Sequence, residues 1–198
     1  MKRNEQKELT RKKIIESAFI IFEQYGFENA KTADIAKQAG ISHGSIFSHF
    51  NSKDDLVKTV IREFSDELSL TFHKQLSKNQ TIQDYLVTLV IIFERHERWF
   101  RNILLEKSHY EIVNMEYAEL QYKISLHFYQ MLKKEYKNLD LDGYSFIYNL
   151  LMGLLLQYII NKEYFIENTD EVVLNKYRNE IVLHFTEVVE DYVKRCGG

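Results

Sequence analysis

Six small or polar residues within positions 42–49 form the stretch best suited to hydrogen bonding with another molecule. They are Ser42, His43, Gly44, Ser45, Ser48 and His49. At helical spacing they share an outer face, whereas Ile46 and Phe50, four residues apart, form the inner face. A merely solvated helix would be expected to carry Lys and Glu there. The glycine and the short side chains therefore predict that the backbone of this helix comes close to another surface.

The preceding residues are expected to position this helix. Thr32 is a good N-cap for a helix whose inner face is Ile35, Ala36 and Ala39. Gly40 ends that helix in the left-handed conformation, and Ser42 then caps the second helix. Two short helices joined by a turn of three to four residues containing glycine have the geometry that places the second helix in a DNA major groove. Two helices separated by a glycine occur in any compact helical core, so this arrangement alone does not indicate DNA binding. The polar outer face of the second helix is what favours it.

Residues 32–56 read T-x-D-I-A-x-x-A-G-I-S-x-G-S-I-F-x-x-F-x-S-K-x-x-L, a pattern that resembles the DNA-binding domain of the TetR family of bacterial transcriptional regulators. The resemblance covers roughly the first third of the chain, and the remaining two thirds contain no comparable motif. Upstream, the matching positions are Ile14, Ala18, Phe22, Gly26 and Phe27.

The resemblance implies an all-α protein of about nine helices. Residues 1–55 would form a three-helix DNA-binding domain with a recognition helix at about 42–49, and residues 56–198 an effector-binding and dimerisation domain. A helix at 53–76 would link the two. The implied function is sequence-specific transcriptional regulation by a homodimeric repressor. A small, largely apolar or aromatic effector would release it from a palindromic double-stranded DNA operator.

Resemblance and geometry together assign roles in DNA binding. Ser42, His43, Gly44 and Ser45 are expected to read base edges, whereas the expected phosphate anchors are Thr32, Ser48, His49 and Lys53. The family usually has tyrosine at the position of Phe47. Loss of that hydroxyl removes one hydrogen bond, typically about 0.5–1.5 kcal/mol, unless Phe47 contacts a thymine methyl group instead.

Charge and composition agree with this organisation. Residues 1–62 carry 11 Lys/Arg and 8 Asp/Glu, whereas residues 63–198 carry 15 and 21. A modestly basic head on an acidic body suits a protein that contacts phosphates with one end only. The chain contains no proline and no sustained alternation of period two, so it is expected to be all-α.

The periodicity predicts the helix boundaries. Residues 1–9 are expected to be loose, and a first helix is expected at 10–25. Later helices are expected at 82–96, 98–106, 109–137, 143–164 and 170–195. The polar segment 77–81 is the predicted domain boundary. Ser52 and Asp55 predict a capping box at the start of the 53–76 helix.

The body contains candidates for an effector site and for a dimer interface. Aromatic residues with a few polar groups suit a mostly apolar pocket, although each residue taken singly is more often core. The helix from Tyr144 is apolar nearly all round, which suggests a partner beyond its own domain, although a central helix of a monomer would look the same. Gly153 would permit another helix to approach closely. The predicted effector site is Phe93, His96, Trp99, Phe100, Tyr110, Tyr122, His127 and Asn149; the predicted dimer interface is Tyr148, Leu151, Leu155, Tyr158, Ile181, Phe185 and Val188.

Other functional classes find little support in the sequence. No histidine pair has a metal-binding spacing, and neither a catalytic triad nor a glycine-rich phosphate loop stands out, so we expect no metal, cofactor or enzyme activity. The single cysteine, Cys196, and a charged N-terminus favour the cytoplasm over secretion or a membrane. Two alternatives remain open: an architectural or protein-recruiting DNA-binding protein without a small-molecule effector, and a small-molecule carrier or enzyme with an incidental helix-turn-helix.

Overall fold

Nine α-helices and one short 3₁₀ helix make up the computed structural model, which describes residues 3–76, 81–168 and 171–196. No strand occurs in these ranges, and the predicted all-α class is confirmed. The helices are α1 (Arg3–Tyr25), α2 (Thr32–Ala39), α3 (His43–Ile46), α4 (Lys53–Leu76), α5 (Ile82–Arg95), α6 (Glu97–Glu106), α7 (Glu111–Glu135), α8 (Leu141–Ile160) and α9 (Val173–Cys196), with the 3₁₀ helix at Lys162–Tyr164.

The first helix is longer than predicted, since α1 already begins at Arg3 rather than near Thr10. The segment before Thr10 lacks an apolar stripe, which is why it was expected to be loose. Its Glu, Gln and Lys residues are nevertheless good helix formers. Thr10 also adds a side-chain bond, because its Oγ1 donates to the carbonyl of Gln6 at 2.9 Å.

Helix ends elsewhere lie within a few residues of their predicted positions. The linking helix α4 has the predicted bounds of 53 and 76. Half of its predicted capping box is present: Ser52 Oγ accepts from the Asp55 amide at 3.0 Å, whereas the Asp55 carboxylate accepts from Asn51 rather than Ser52. Helix α8 begins at Leu141, two residues early, because Asp140 caps it through the Gly143 amide at 2.8 Å. The predicted boundary at 77–81 lies outside the described residues except for Thr81, and so do residues 169 and 170 of the last predicted break.

The chain divides into two compact units, and each unit consists of two separate stretches of the sequence. Unit 1 comprises Met1–Asp66 and Arg101–Leu120, and unit 2 comprises Glu67–Phe100 and Gln121–Gly198. Helices α4, α6 and α7 therefore each contribute residues to both units. The predicted functional division at residue 55 remains a prediction. Unit 1 also contains residues 101–120, which the predicted N-terminal domain did not include.

Apolar residues of α1 and α4 form the core of unit 1. The inner stripe of α1, represented by Ile14, Ala18 and Phe22, is fully buried, and Phe27 is buried beside it. The rings of Phe22 and Phe27 lie 5.3 Å apart. Leu56, Val57, Val60 and Ile61 of α4 are also buried in the core. This small core holds α2 and α3 against α1 and α4.

Unit 2 is built from larger helices. Helices α8 and α9 pack together, and α9 also packs on α5. A buried ion pair fixes the connection before α9: Lys162 Nζ lies 2.8 Å from Glu97 Oε1, and the other Glu97 oxygen accepts from the Val173 amide at 2.8 Å. In the described ranges, α8 is the one helix long and apolar enough to cross a membrane. That is weak evidence for a span, since Ile147, Leu151 and Leu155 of α8 are core residues of unit 2.

Candidate DNA-reading site

The turn between α2 and α3 has the predicted glycine geometry. Gly40 has φ +69° and ψ 35°, and the Ile41 amide bonds the Ala36 carbonyl at 3.0 Å, which closes the end of α2. Ile35 and Ala36 are buried on the inner face. The turn therefore directs the chain from a packed helix straight into the exposed α3.

Thr32 has a different role from the one predicted. The N-cap of α2 is Lys31, and no side chain caps this helix. Thr32 is the first helical residue instead, and its Oγ1 lies 2.8 Å from His43 Nε2. This bond connects the first residue of α2 with the first residue of α3. It holds the His43 ring in one orientation at the surface.

The regular part of α3 is shorter than the predicted span of 42–49. It covers only His43–Ile46, and residues 47–49 continue as turns in which the amides of Ser48 and His49 bond the carbonyls of Ser45 and Ile46. Ser42 occupies the N-cap position but makes no capping bond. Its Oγ pairs with Ser45 Oγ at 2.7 Å. Ile46 and Phe50 are buried as predicted and fix the segment to the core of unit 1.

The outer face of this segment is open. Ser42, His43, Gly44, Phe47 and Ser48 are exposed. A Cβ added at Gly44 would meet no atom within 4 Å, so the backbone there is uncovered. Phe47 is 49% exposed, and its ring lies edge-on to His43 at 5.4 Å. The structure thus brings the predicted base-reading residues together on one surface.

His49 and Lys53 follow α3 in the chain. His49 is half-buried, and burial lowers its pKa, with Lys7 and Arg11 lowering it further. Lys53 Nζ donates to the Glu28 carbonyl at 2.6 Å, which uses one of the three donors of the ammonium group. Both remain predicted phosphate anchors. The Arg11 guanidinium lies 4.9 Å from the centre of the Phe50 ring and also bonds Glu63.

The 101–120 segment of unit 1 holds the end of α1 in place. Asn102 Nδ2 donates to the carbonyls of Phe22 and Glu23 at 2.9 and 3.0 Å. One turn later, the two Glu106 oxygens accept from the amides of Phe27 and Glu28 at 3.0 and 2.7 Å. Two residues four apart on α6 therefore satisfy both the last carbonyls of a helix and the amides of the turn after it.

The Glu106 contact explains why residue 26 is glycine. Gly26 has φ +80°, and a Cβ built there would lie 2.1 Å from Glu106 Oε1. Burial raises the pKa of Glu106, whereas the two amide donors lower it. Two further contacts join the same segment to α4: Tyr110 donates to Asp54, and Arg62 Nε lies 2.7 Å from Glu116 Oε2. None of these partners was predicted, since each lies more than 50 positions away in sequence.

The predicted effector residues are divided between the two units, and their role remains a prediction. Tyr110 belongs to unit 1, and the other seven belong to unit 2. Phe93, Trp99, Phe100 and His127 are buried, with Phe93 and Phe100 stacked at 4.1 Å. His96 is half-buried, whereas Tyr122 is 67% exposed and Asn149 bonds the carbonyl of Ser145 in its own helix. A surface depression of about 510 Å³ in unit 2 is lined by Glu163, Tyr164, Phe165 and neighbours, and contains none of the eight.

The predicted dimer residues mostly face the core of unit 2. Leu151, Leu155, Ile181 and Phe185 are buried, whereas Tyr148 and Tyr158 are half-buried and Val188 is 41% exposed. The apolar periodicity had selected the face that packs within the chain. On α8 and α9 the exposed apolar side chains include Phe146 and Leu150 alongside Val188. The interface remains a prediction.

Within the described residues, no three His, Cys, Asp or Glu side chains are grouped as metal ligands. The residues around α3 form an exposed surface of hydrogen-bonding groups. Such a surface is suited to recognising another molecule.

Comparisons with known proteins agree with this description. Residues 14–60 match the sequence model of "Bacterial regulatory proteins, tetR family". The HTH-type transcriptional regulator SrpR of Pseudomonas putida is 25% identical over 166 residues, which cover 79% of this chain and 78% of SrpR.

Two solved structures show the same fold. One is described as a TetR-family transcriptional regulator from Mesorhizobium loti, with a TM-score of 0.71, 16% identity and 98% of each chain covered. The other is the transcriptional regulator FadR from Bacillus subtilis in complex with stearoyl-CoA, with a TM-score of 0.66, 16% identity, and 87% of this chain and 96% of FadR covered.

Proposed function

Because the chain belongs to the TetR family of transcriptional regulators, we propose that it is a homodimeric repressor that a small molecule releases from its operator. The open face of α3 is the observation that carries the DNA-binding half of this proposal. The effector half is supported by the family and by FadR of B. subtilis, which has the same fold and is seen with stearoyl-CoA. We place the regulator in the cytoplasm, where its operator would be.

The α3 face suits a major groove for three reasons. The side chains at Ser42, His43 and Ser45 are short donors and acceptors, and Gly44 lets the helix backbone approach base edges closely. The Thr32–His43 and Ser42–Ser45 hydrogen bonds already orient three of these groups before DNA arrives. Less conformational freedom is then lost on binding.

Phosphate contacts would fix the register of this face on the duplex. We assign these contacts to Thr32, Ser48, His49 and Lys53, and Lys53 keeps ammonium donors beyond the one given to Glu28. In a dimer, the second copy of α3 would enter the next major groove, about 34 Å along the axis. The direct experiment is a titration of operator DNA, which should bind two chains per duplex.

We place the dimer surface on the exposed side of α8 and α9. Phe146 is 52% exposed and stacks on Tyr192 of α9 with ring centroids 5.0 Å apart. Leu150 and the exposed Gly153 follow Phe146 at helical spacing on α8, and Val188 lies one turn before Tyr192 on α9. Apolar side chains that continue across two helices without cover are typical of a helix–helix interface between subunits.

Gly153 provides a test of that surface. A Cβ at Gly153 meets no atom within 4 Å in the single chain, so Gly153→Leu should preserve the helical content of unit 2. Against a closely approaching partner helix, the same side chain should weaken dimerisation at least tenfold, measured by analytical ultracentrifugation. Gly44→Leu is the matched control, since it adds leucine at another open glycine and should leave the dimer intact. An unchanged dimer in Gly153→Leu would exclude close helix contact at this point.

A further inference from the structure

Unit 2 contains a cluster of aromatic rings contributed by four helices. We call it the Tyr85 cluster and define it as Phe72 of α4, Tyr85 of α5, Gln121, His127 and Phe128 of α7, and Tyr148 of α8. Ring centroids lie 5.2 Å apart for Phe72 and Tyr85, 5.6 Å for Phe72 and His127, and 5.7 Å for Tyr85 and Phe128. The Phe128 and Tyr148 rings are 5.9 Å apart.

Three polar atoms of this cluster are hidden from solvent without a hydrogen-bond partner among the described residues. They are Tyr85 Oη, His127 Nδ1 and Gln121 Nε2. Tyr85 is 0% and His127 4% exposed, so solvent at the protein surface does not reach them. Buried polar groups in native proteins are nearly always bonded. Three exceptions in one cluster indicate that its partner comes from outside the chain.

The neighbouring hydroxyl groups show that the cluster is otherwise well satisfied. Tyr148 Oη donates to Gln121 Oε1 at 2.8 Å, so the Gln121 amide is oriented with its NH₂ group left over. One turn earlier on α8, Tyr144 Oη lies 2.8 Å from the Ser125 carbonyl. Tyr85 is thus the tyrosine of this group whose hydroxyl has no acceptor or donor within the described chain.

The charge environment limits what can bind. None of the six cluster residues is an Asp, Glu, Lys or Arg, and the groups that act electrostatically on Tyr85 are Tyr148 and Tyr144. The corresponding group for His127 is His73, and burial lowers the pKa of His127, which favours its neutral form. A ligand carrying a formal charge would lose its hydration here without gaining a counter-ion. An uncharged ligand suffers no such loss.

We propose that the Tyr85 cluster binds the effector and that the effector is an uncharged aromatic molecule bearing a hydrogen-bond acceptor such as a carbonyl. The Tyr85 hydroxyl and the Gln121 amide would donate to that acceptor, and the surrounding rings would pack on its apolar body. The half-buried Gln121 and Tyr148 mark the side of the cluster nearest solvent, where a ligand enters. This assignment rests on the proposed effector-responsive function.

Benzamide and benzoate provide matched probes, since they have nearly the same shape but only benzoate is charged. At millimolar concentration, benzamide should raise the melting temperature of the full chain by at least 2 °C and show saturation transfer in ligand-observed NMR. Benzoate should bind at least tenfold more weakly. Equal binding of the two, or no binding of benzamide, would overturn the assignment.

Two tyrosine variants complete the test. Tyr85→Phe removes a hydroxyl without a partner, so the ligand-free protein should melt at a higher temperature, yet its affinity for benzamide should fall at least fivefold. Tyr144→Phe removes a bonded hydroxyl, so it should melt lower and keep its benzamide affinity. Undiminished benzamide binding in Tyr85→Phe would overturn the proposal. A lower melting temperature in that variant would also overturn it, since it would show that a buried water molecule already bonds the Tyr85 hydroxyl. No measurement here uses DNA, so operator binding tests the regulatory function separately.

Discussion

Replacing Gly26 by alanine should lower the free energy of unfolding by about 3 kcal/mol or more. The left-handed backbone at φ +80° costs a residue with a Cβ about 1–2 kcal/mol. The new methyl group would also displace the Glu106 carboxylate from the amides of Phe27 and Glu28. Hydrogen bonds to a charged group contribute about 1.5–3 kcal/mol each. Urea unfolding followed by far-UV circular dichroism measures the loss.

Gly40→Ala is the matched control for Gly26→Ala. Gly40 also has a positive φ, of +69°, but no atom lies within 4 Å of a Cβ built there. It should therefore lose only the conformational part, about 1–2 kcal/mol. The double variant Gly26→Ala/Glu106→Ala should lose clearly less unfolding free energy than the sum of the losses of the two single variants. The reason is that the contacts of the Glu106 carboxylate can be lost only once. Equal losses in Gly26→Ala and Gly40→Ala would show that Glu106 does not constrain residue 26.

Replacing Gly44 by leucine should reduce operator affinity at least 100-fold while leaving the fold intact. The residue is exposed, and the space around its Cα is empty within 4 Å of a built Cβ, so the side chain fits the free protein. In the complex, the same space would be occupied by the edges of base pairs. A 100-fold loss corresponds to about 2.7 kcal/mol of binding free energy. Fluorescence anisotropy gives the affinity, and thermal melting shows whether the fold is retained.

The comparison of Gly44→Leu with Gly153→Leu separates the two proposed surfaces. Each variant adds the same side chain at an exposed helical glycine. The first should lose DNA and keep the dimer, whereas the second should lose the dimer first. If Gly44→Leu bound operator within threefold of the unmodified protein, α3 would not be the helix that enters the groove.

Local sequence signals predicted the turn between α2 and α3 and the start of α4, because both depend on residues close together in the sequence. Gly40 marks a left-handed helix end, and α4 begins at the polar cap around Ser52. The same local rules failed where stability comes from a distant partner. Gly26 reads as an ordinary helix stop, and nothing near it in sequence indicates that Glu106, 80 positions later, bonds the turn that follows. The addition of residues 101–120 to unit 1 was invisible for the same reason.

The effector and interface residues that we propose were harder to predict, because periodicity does not identify the neighbour of an apolar face. On α8 it selected Leu151 and Leu155, which are buried in their own unit, rather than Phe146 and Leu150, which are exposed. Tyr85 was passed over since its sequence context matches that of any core aromatic residue. Its unbonded hydroxyl is a property of the packed structure alone.

Unit 1 is supported by contacts from its 101–120 segment. They are made by Asn102, Glu106, Tyr110 and Glu116. They bond the end of α1, the turn after it and two positions on α4, all within unit 1. Because α6 and α7 also continue into unit 2, a change in either helix is covalently connected to these supports. An effector can act through them only to the extent that it binds two conformations with different affinity.

Specific binding of operator DNA tests the central claim most directly. A labelled fragment from upstream of the gene for this chain would be titrated by fluorescence anisotropy at several salt concentrations, with a scrambled duplex of equal length and composition as competitor. We predict saturation at two chains per duplex, at least 100-fold preference over the scrambled duplex, and affinity that falls as salt rises. The target site could lie elsewhere in the genome, so a selection from random duplexes would follow if this fragment failed. No sequence preference in either experiment, even at low salt, would contradict the account of α3 as a DNA-reading helix.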